Sequence, residues 1–396
     1  MTDRSVARRS GDRSPDDRSL DDHSPNDRSH ESNAEGQGAK SGAKGTIQRV
    51  ADGAKDWLRQ SKQLAGLVLR EGRTARSVDL PIRKRLWLWR RGFLSEAGAL
   101  FDLSPETADR YLSNYERDVK TIAINGPSGR ILDDKLLFHH LLTPEFDHLL
   151  PQLYYYLTAE ATYPIDADSA HRDLRSGATA ADHPLVMKPR TGGGGEGVTV
   201  LDSATVAETS IGDLAANGTS DRLLCEYVEQ GAYADAVFPG SVNTIRILTM
   251  LDPRTNEPFV ARAVHRFGTD ASAPLDNWSR GGVSARVDVE TGQLGPCAHR
   301  TDGGEPVWTD RHPETDERVA GTTVPNWDRV VDGLLDVAST YPALPYVGWD
   351  VVVREADPSF TIIEGNRYSD VNMLQTHGPL LDDPQVRRFY EHHGVV

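Results

Sequence analysis

The sequence predicts an α+β fold, and three observations lead to it. Strand-like runs rich in valine, isoleucine and leucine dominate the chain beyond Arg222, bounded by turn formers such as Asp252-Pro253 and Glu290-Thr291-Gly292. Helical periods are interposed, most clearly over Trp327–Thr340, where apolar residues recur at 327, 330/331, 334/335 and 338. The two kinds of element do not alternate in a regular βαβ order, which argues against a parallel α/β sandwich.

Taken in order, the chain starts with little to bury. Residues 1–45 repeat a polar unit, Asp3-Arg4-Ser5, Asp12-Arg13-Ser14, Asp17-Arg18-Ser19, Asp22-His23-Ser24 and Asp27-Arg28-Ser29. Such a segment cannot offset its ordering entropy, so a disordered tail is expected. Over 47–73 the spacing of Val50, Ala54, Trp57, Leu58, Leu64, Leu67 and Val68 predicts one or two helices packed against another element. Residues 81–94 mix Arg83, Lys84, Arg85, Arg90 and Arg91 with Trp87 and Trp89. Three readings fit: a weak membrane-surface contact through 82–94, a basic groove for an anionic partner, or a helix whose arginine stems and tryptophans cover a core.

Residues 99–130 read as helix, turn and short strand, with Ser104-Pro105-Glu106 at capping spacing. Asp133-Asp134 then lead a helix whose apolar face is expected to be Leu137, Leu141 and their neighbours, and 166–182 read as a polar loop or insertion. Further strands are expected on either side of a glycine-rich turn at 191–197, and over 222–228, 242–251, 258–266, 283–289, 346–353 and 360–364. Asp357-Pro358-Ser359 would turn the last pair. The expected division is a tail (1–45), a helical N-terminal region (46–130) and two α+β halves (131–230 and 231–396).

Composition narrows the function. A chain of 396 residues can hold two or three subdomains around a large core. Its net charge of -15 excludes a nucleic-acid binder that works through a broad basic surface. No run of about 18 apolar residues occurs, so no transmembrane segment is expected. The two cysteines, Cys225 and Cys297, have neither metal spacing nor a disulfide framework, and a cytoplasmic setting follows. Acidity combined with scarce lysine and plentiful arginine points to a salt-adapted, halophilic source.

Chemistry concentrates in two places. The first is the apolar run Leu185-Val186-Met187 ending in Lys188, followed by Thr191, Gly192, Gly193, Gly194, Gly195, Glu196 and Gly197. Glycines let backbone N–H groups approach an anion without a Cβ in the way, and a strand-borne lysine sets a positive charge beside them. A flexible surface hairpin has the same composition, and the spacing matches neither the P-loop nor the dinucleotide fingerprint. Lysine usage bears on the choice: beyond Thr121 only Lys135 and Lys188 occur, while arginine recurs throughout. A compact ammonium suits a phosphate oxygen in a tight site where a planar fork does not; chance survival is the alternative.

The second place is Gly348-Trp349-Asp350 with Ile362-Ile363-Glu364-Gly365-Asn366. Acids inside apolar strands are costly unless paired or metal-bound. A short hairpin brings Asp350 and Glu364 side by side, with Asn366 on the same side. Two carboxylates and an amide oxygen make a hard oxygen site suited to Mg²⁺ bridging nucleotide phosphates, against the alternative of a structural salt bridge to arginine.

As a set, these features resemble the ATP-grasp superfamily in order and spacing: Asp134-Lys135 opening a helix, Val186-Met187-Lys188-Pro189 before a glycine-rich hairpin, Glu226-Tyr227-Val228, Gly348-Trp349-Asp350, and Glu364-Gly365-Asn366. Ser241-Val242-Asn243-Thr244-Ile245-Arg246, Gly92-Phe93-Leu94 and Asp133–Phe138 look most like the sugar-transfer-associated group, related to the α-L-glutamate ligases. The likeness spans roughly 83–390.

The resemblance implies a nucleotide held between two α+β subdomains. Lys135 and Lys188 would contact the α- and β-phosphates, and the loop 191–197 would close over the β- and γ-phosphates. Glu226, Tyr227 and Val228 would read the adenine edge. Asp350, Glu364 and Asn366 would hold one or two Mg²⁺ ions, with Mn²⁺ as a substitute. Arg246 and Arg262 would stabilise the transferring phosphoryl group or the acyl phosphate, unless both form structural salt bridges. Glu229, Gln230 and Asp235 compete as the ribose-binding residue, and Asn277 with Gly281-Gly282 sits where a substrate loop would lie. The implied activity joins a small-molecule or glycan carboxylate to an amine through an acyl phosphate, in envelope polysaccharide biosynthesis or amino-acid addition. The alternatives are a kinase acting on a hydroxyl and a nucleotide-binding accessory protein without turnover.

Overall fold

Twelve strands pair into two antiparallel sheets among the residues that the computed structural model describes, which are 61–74, 78–165, 184–202, 204–205, 214, 221–301, 303–355, 357 and 359–396. The expected tail, the start of the 47–73 helical stretch, the 166–182 insertion and Pro358 of the expected turn lie outside the described residues. The smaller sheet contains β1 (Leu153–Leu157), β2 (Thr162–Pro164), β3 (Leu185–Pro189), β4 (Thr199–Leu201) and β5 (Arg222–Glu226), in the order β2-β1-β5-β3-β4. The larger contains β6 (Ile245–Leu251), β7 (Pro258–Phe267), β8 (Val283–Val287), β9 (Leu294–Arg300), β10 (Pro306–Thr309), β11 (Tyr346–Val353) and β12 (Phe360–Asn366). Its order is β10-β9-β8-β7-β6-β11-β12. The fold is α+β.

The central strands of the large sheet are apolar on both faces because both faces are covered. One carries Ile245, Ile247, Ala263, Trp349 and Val351 against the helices Trp327–Thr340 and Lys135–Phe146. The other carries Leu248, Met250, Val264 and Tyr346 against Val371–Thr376, Pro384–His392 and the N-terminal helices. Helix Trp327–Thr340 buries Trp327, Val330, Leu334, Val337 and Ala338, the stripe its 3.6-residue period predicts.

Three expectations need correction. The short strand within 99–130 is absent among the described residues. Ser104 Oγ does accept the Glu106 N–H, but only short helical turns follow, at Ala108–Arg110, Glu116–Lys120, Thr121–Ala123 and Gly126–Asp133. In helix Lys135–Phe146 the buried residues are Leu136, Phe138 and Leu142, whereas Leu137 is 47% exposed. That helix is apolar nearly all round, so period alone cannot choose its inner face; the space above Gly365 does, because Phe138 fills it. Last, the chain also forms β1, β2, β9 and β10, for which the sequence gives no expectation: proline or glycine interrupts β2, β9 and β10, and the tyrosines of β1 lie outside the aliphatic pattern that marks the other strands.

Two buried histidines make stability sensitive to acid. Burial pushes His265, whose Nε2 lies 2.8 Å from Tyr233 Oη, down to about 3 from its ordinary 6.5. Burial, helped by the Arg262 and Arg286 charges, does the same to His377. Both are neutral in the folded chain. Their contribution is therefore complete above 6.5, the unfolded value, and is lost as pH falls toward 3, because the unfolded chain takes up the protons first. The free energy of unfolding from urea titrations is expected to fall below neutrality by up to about 1.4 kcal/mol per pH unit for each histidine. A value unchanged down to about pH 5 would contradict neutral burial.

Candidate functional site

Residues from both sheets wall one cleft of about 1060 Å³. On the small-sheet side, Val186 and Lys188 alternate out of β3 toward it, followed by Thr191 and Gly192–Gly195. The opening of helix Lys135–Phe146 is fastened here by Asp134, whose Oδ1 accepts the N–H groups of Leu136 at 3.1 Å and Leu137 at 3.2 Å. The Arg190 guanidinium grips the same carboxylate, at 2.7 Å from Nη2 to Oδ2, and the Lys135 N–H donates to the Arg190 carbonyl at 2.9 Å. The cap thus ties the helix to the end of β3. Lys135 emerges beneath the glycine loop, its Nζ donating to the Gly192 carbonyl at 2.5 Å and standing 3.5 Å from Glu364 Oε2.

The loop has φ angles of 102°, 68°, 70° and 75° at Gly192, Gly194, Gly195 and Gly197, a region that side chains with a Cβ rarely enter. A Cβ at Gly195 would also stand 2.3 Å from Leu275 Cδ1. Beside it, Asn277 Nδ2 donates to the Gly194 carbonyl at 3.0 Å. The loop therefore rests on the 275–277 segment, across the cleft from its own sheet.

On the other side, β11 and β12 run in register so that Asp350 faces Glu364 and Gly348 faces Asn366. Two glycines make this possible. A Cβ at Gly348 would lie 2.6 Å from Ser369 Oγ, and one at Gly365 would lie 2.8 Å from Phe138 Cε2. The missing Cβ at 365 lets the helix pack onto β12 and brings Lys135 to Glu364.

Asp350 is buried under two arginines. Arg246 binds both its oxygens, with 3.0 Å from Nη2 to Oδ2, and Arg266 Nη2 approaches Oδ2 at 3.2 Å. Burial pushes this carboxyl up, but the Arg246 and Arg266 charges and the hydrogen bonds from Arg246 outweigh it and hold the group well below the usual carboxylate range. Arg266 Nε also reaches Asp276 Oδ2 at 3.2 Å, and that oxygen accepts the Thr244 N–H at 2.8 Å. Arg246, Arg266 and Lys135 thus face Asp276, Asp350 and Glu364, and their formal charges cancel.

The cleft brings together Lys135, Lys188, Thr191, Gly192, Gly193, Gly194, Gly195, Glu226, Tyr227, Val228, Arg246, Asp350, Glu364, Asn366 and Asn277. Others do not line it. Arg262 shares the Arg246 face of the sheet, but its guanidinium donates to the carbonyls of His377, Gly378 and Pro379 at 3.3 to 3.4 Å. Gly197 folds back over Pro189. None of Glu229, Gln230 and Asp235 lines the cleft: Gln230 Nε2 bonds Asp235 Oδ1 and the Ser241 carbonyl, and its Oε1 accepts the Asn243 N–H. Gly282 serves a tight turn, its Cβ position 2.8 Å from the Asp276 carbonyl. Sequence reasoning missed Arg266 and Asp276; the signal was Arg266 itself, four residues past Arg262 on the same strand face.

The donor set fits a hard divalent cation. Asn366 Nδ2 is committed to the Gly348 carbonyl at 3.2 Å and to Glu364 Oε1 at 3.4 Å, which leaves Oδ1 as the donor atom. Among the described residues no three His, Cys, Asp or Glu gather to hold a metal by themselves. One or two carboxylates completed by phosphate oxygens is how Mg²⁺ is usually held. Asp350 would share its oxygens with the arginines; Glu364 is the more open ligand.

The profile of the sugar-transfer associated ATP-grasp family matches residues 124–381. No curated protein matches the chain. Among solved structures, a D-cycloserine synthetase is 19% identical, with 67% of this chain and 71% of that one covered and a TM-score of 0.36. D-alanine–D-alanine ligase from Bacillus anthracis is 15% identical over 67% and 69%, with a TM-score of 0.34. An L-amino acid ligase from Bacillus licheniformis is 9% identical, TM-score 0.33; 61% of this chain matches 42% of that longer protein.

Proposed function

The chain belongs to the sugar-transfer associated ATP-grasp family, and on that premise we propose that it is an ATP- and Mg²⁺-dependent carboxylate–amine ligase. The observation that supports this reading is the convergence of Lys135, Lys188, the glycine loop and the Asp350/Glu364 pair on one cleft. In this reading a carboxylate oxygen takes the γ-phosphoryl group of ATP to give an acyl phosphate and ADP, and an amine then displaces phosphate to form the amide. The protein positions and neutralises; no side-chain nucleophile is needed.

The chain's own groups have distinct tasks. Lys135 and Lys188 bind phosphate oxygens as compact point charges. The N–H groups of 192–195 cover the distal phosphates and exclude water, with Asn277 fixing the loop from the far side. The backbone of Tyr227 and Val228 pairs with the adenine edge, while the Glu226 carboxylate accepts the Gln152 N–H at 3.0 Å and steadies the end of β5. Glu364, Asn366 and Asp350 would hold Mg²⁺, for which Mn²⁺ could substitute, and the bound cation would offset phosphate charge. Arg246 faces the developing charge; Arg266, tied to Asp276 and Asp350, is a positioning residue. Arg262 has a structural task. The proposed subdomains are 131–230 and 231–396, with the nucleotide between them, and the proposed setting is cytoplasmic.

The test is a screen of amino acids, amino sugars and carboxy sugars for ADP release with Mg²⁺, in low and in high salt. Release that requires both an acid and an amine is expected, and only high salt sustains it if the source is salt-adapted. Release on hydroxyl compounds without any amine would replace the ligase by a kinase. Tight nucleotide binding with no release on any pool would favour an accessory protein.

A further inference from the structure

We propose that the two helices at 61–74 and Ile82–Trp89 form a docking surface for an anionic lipid bilayer. Their inner sides are accounted for. Leu88 is fully buried, Arg85 donates to the Leu80 carbonyl at 3.0 Å and the Val78 carbonyl at 2.6 Å, and Lys84 Nζ reaches the Leu103 carbonyl. Leu67 packs with Leu94 and Val119.

The outer sides are apolar where a water-facing helix is polar. Ile82, Leu86 and Trp89 are 63%, 46% and 42% exposed, and their spacing of four and three residues puts them on one stripe. On the preceding helix Leu64 and Val68, four residues apart, are exposed, and so is Leu69 next to Val68. Among the described residues, six of the thirteen exposed large apolar side chains lie on these two short helices. Scattered exposed leucines are ordinary; a stripe on one short helix with an exposed apolar cluster on the helix before it is not.

Charge selects the occupant. Between Leu80 and Leu94 the chain has five basic residues and no acid, against a net charge of -15 overall. Arg83 and Arg90 flank the stripe and form no ion pair among the described residues. Trp87, which packs partly against the core, carries the Arg91 guanidinium at 4.3 Å from its ring. An apolar ridge with tryptophan at its end and arginines along its side matches the order of a bilayer interface, hydrocarbon below and phosphate above. An anionic headgroup layer attracts a cluster of arginine and lysine of this kind.

The full chain is to be co-sedimented with vesicles of phosphatidylcholine alone and of phosphatidylcholine with phosphatidylglycerol. Binding to the anionic vesicles alone, weakened by salt, is expected. The double variant Leu86→Ser/Trp89→Ala should lose at least tenfold in partition, and Arg83→Gln or Arg90→Gln about fivefold each. All these side chains are exposed, so circular dichroism should show unchanged folds. Absence of binding to anionic vesicles, or binding that the variants do not alter, would overturn the proposal. A dimer in light scattering that Leu86→Ser/Trp89→Ala dissociates would overturn it as well, by making a second copy the occupant.

Discussion

Replacing Lys188 with alanine is expected to abolish ATP turnover while the chain stays folded. Lys188 projects from β3 into the cleft, opposite Leu223 on the neighbouring strand, and forms no ion pair among the described residues. No ion pair among the described residues depends on its charge, so the thermal midpoint should move by only a degree or two; alanine in a strand costs well under about 1 kcal/mol. A bound triphosphate does depend on it. Losing one fixed donor aimed at developing negative charge costs about 10²- to 10³-fold, roughly 3–4 kcal/mol. Calorimetric titration with ADP and a release assay read the two parts separately. Lys188→Arg should recover some nucleotide affinity and little turnover, since a planar fork cannot take the place of a compact ammonium. Lys135→Ala is a poorer probe because that ammonium also holds the Gly192 carbonyl and Glu364. Unchanged nucleotide affinity in Lys188→Ala would remove the basis of the ligase reading.

How much of this site was legible in the sequence follows from which physical patterns are local. The Asp350/Glu364 pair was readable, because two apolar runs around a turn former must make a hairpin and the side-chain period of a strand is two. The lysines were readable because arginine had displaced their kind almost everywhere else. Arg262 and Arg266 were not separable. Both lie on the same face of β7, and only its register with β6, shifted by an irregularity between Leu248 and Thr249, decides which reaches the cleft. Bulges leave no periodic trace in a sequence. The ribose-binding candidates were not separable for a related reason: Gln230 and Asp235 are tied to each other and, through Gln230, to the Phe238 and Ser241 carbonyls, a network set by tertiary contact.

Asp350→Asn is expected to be the most damaging single change, since it acts on both stability and chemistry. The carboxylate is 4% exposed and carries two guanidiniums, one of them on Arg246 at 6% exposure. An amide of the same shape leaves two buried cations with one fewer anion, and breaking a buried pair in this way costs about 3–5 kcal/mol. The folded carboxyl is held below its unfolded value of about 3.9, so its contribution is present above that pH and is lost as acid carries the chain below it. The variant should therefore show a flatter acid limb near pH 4 as well as a lower urea midpoint. Stability alone cannot tell a salt bridge from a metal ligand, whereas Glu364→Gln can. That side chain is partly open and meets one lysine and the Asn366 amide, so its loss should cost only about 1 kcal/mol of stability. If both carboxylates hold Mg²⁺, both variants should need about tenfold or more Mg²⁺ for half-maximal ADP release, whatever their stabilities. If Glu364→Gln keeps the wild-type Mg²⁺ requirement, the acidic pair is a salt-bridge network and the cation must be held elsewhere.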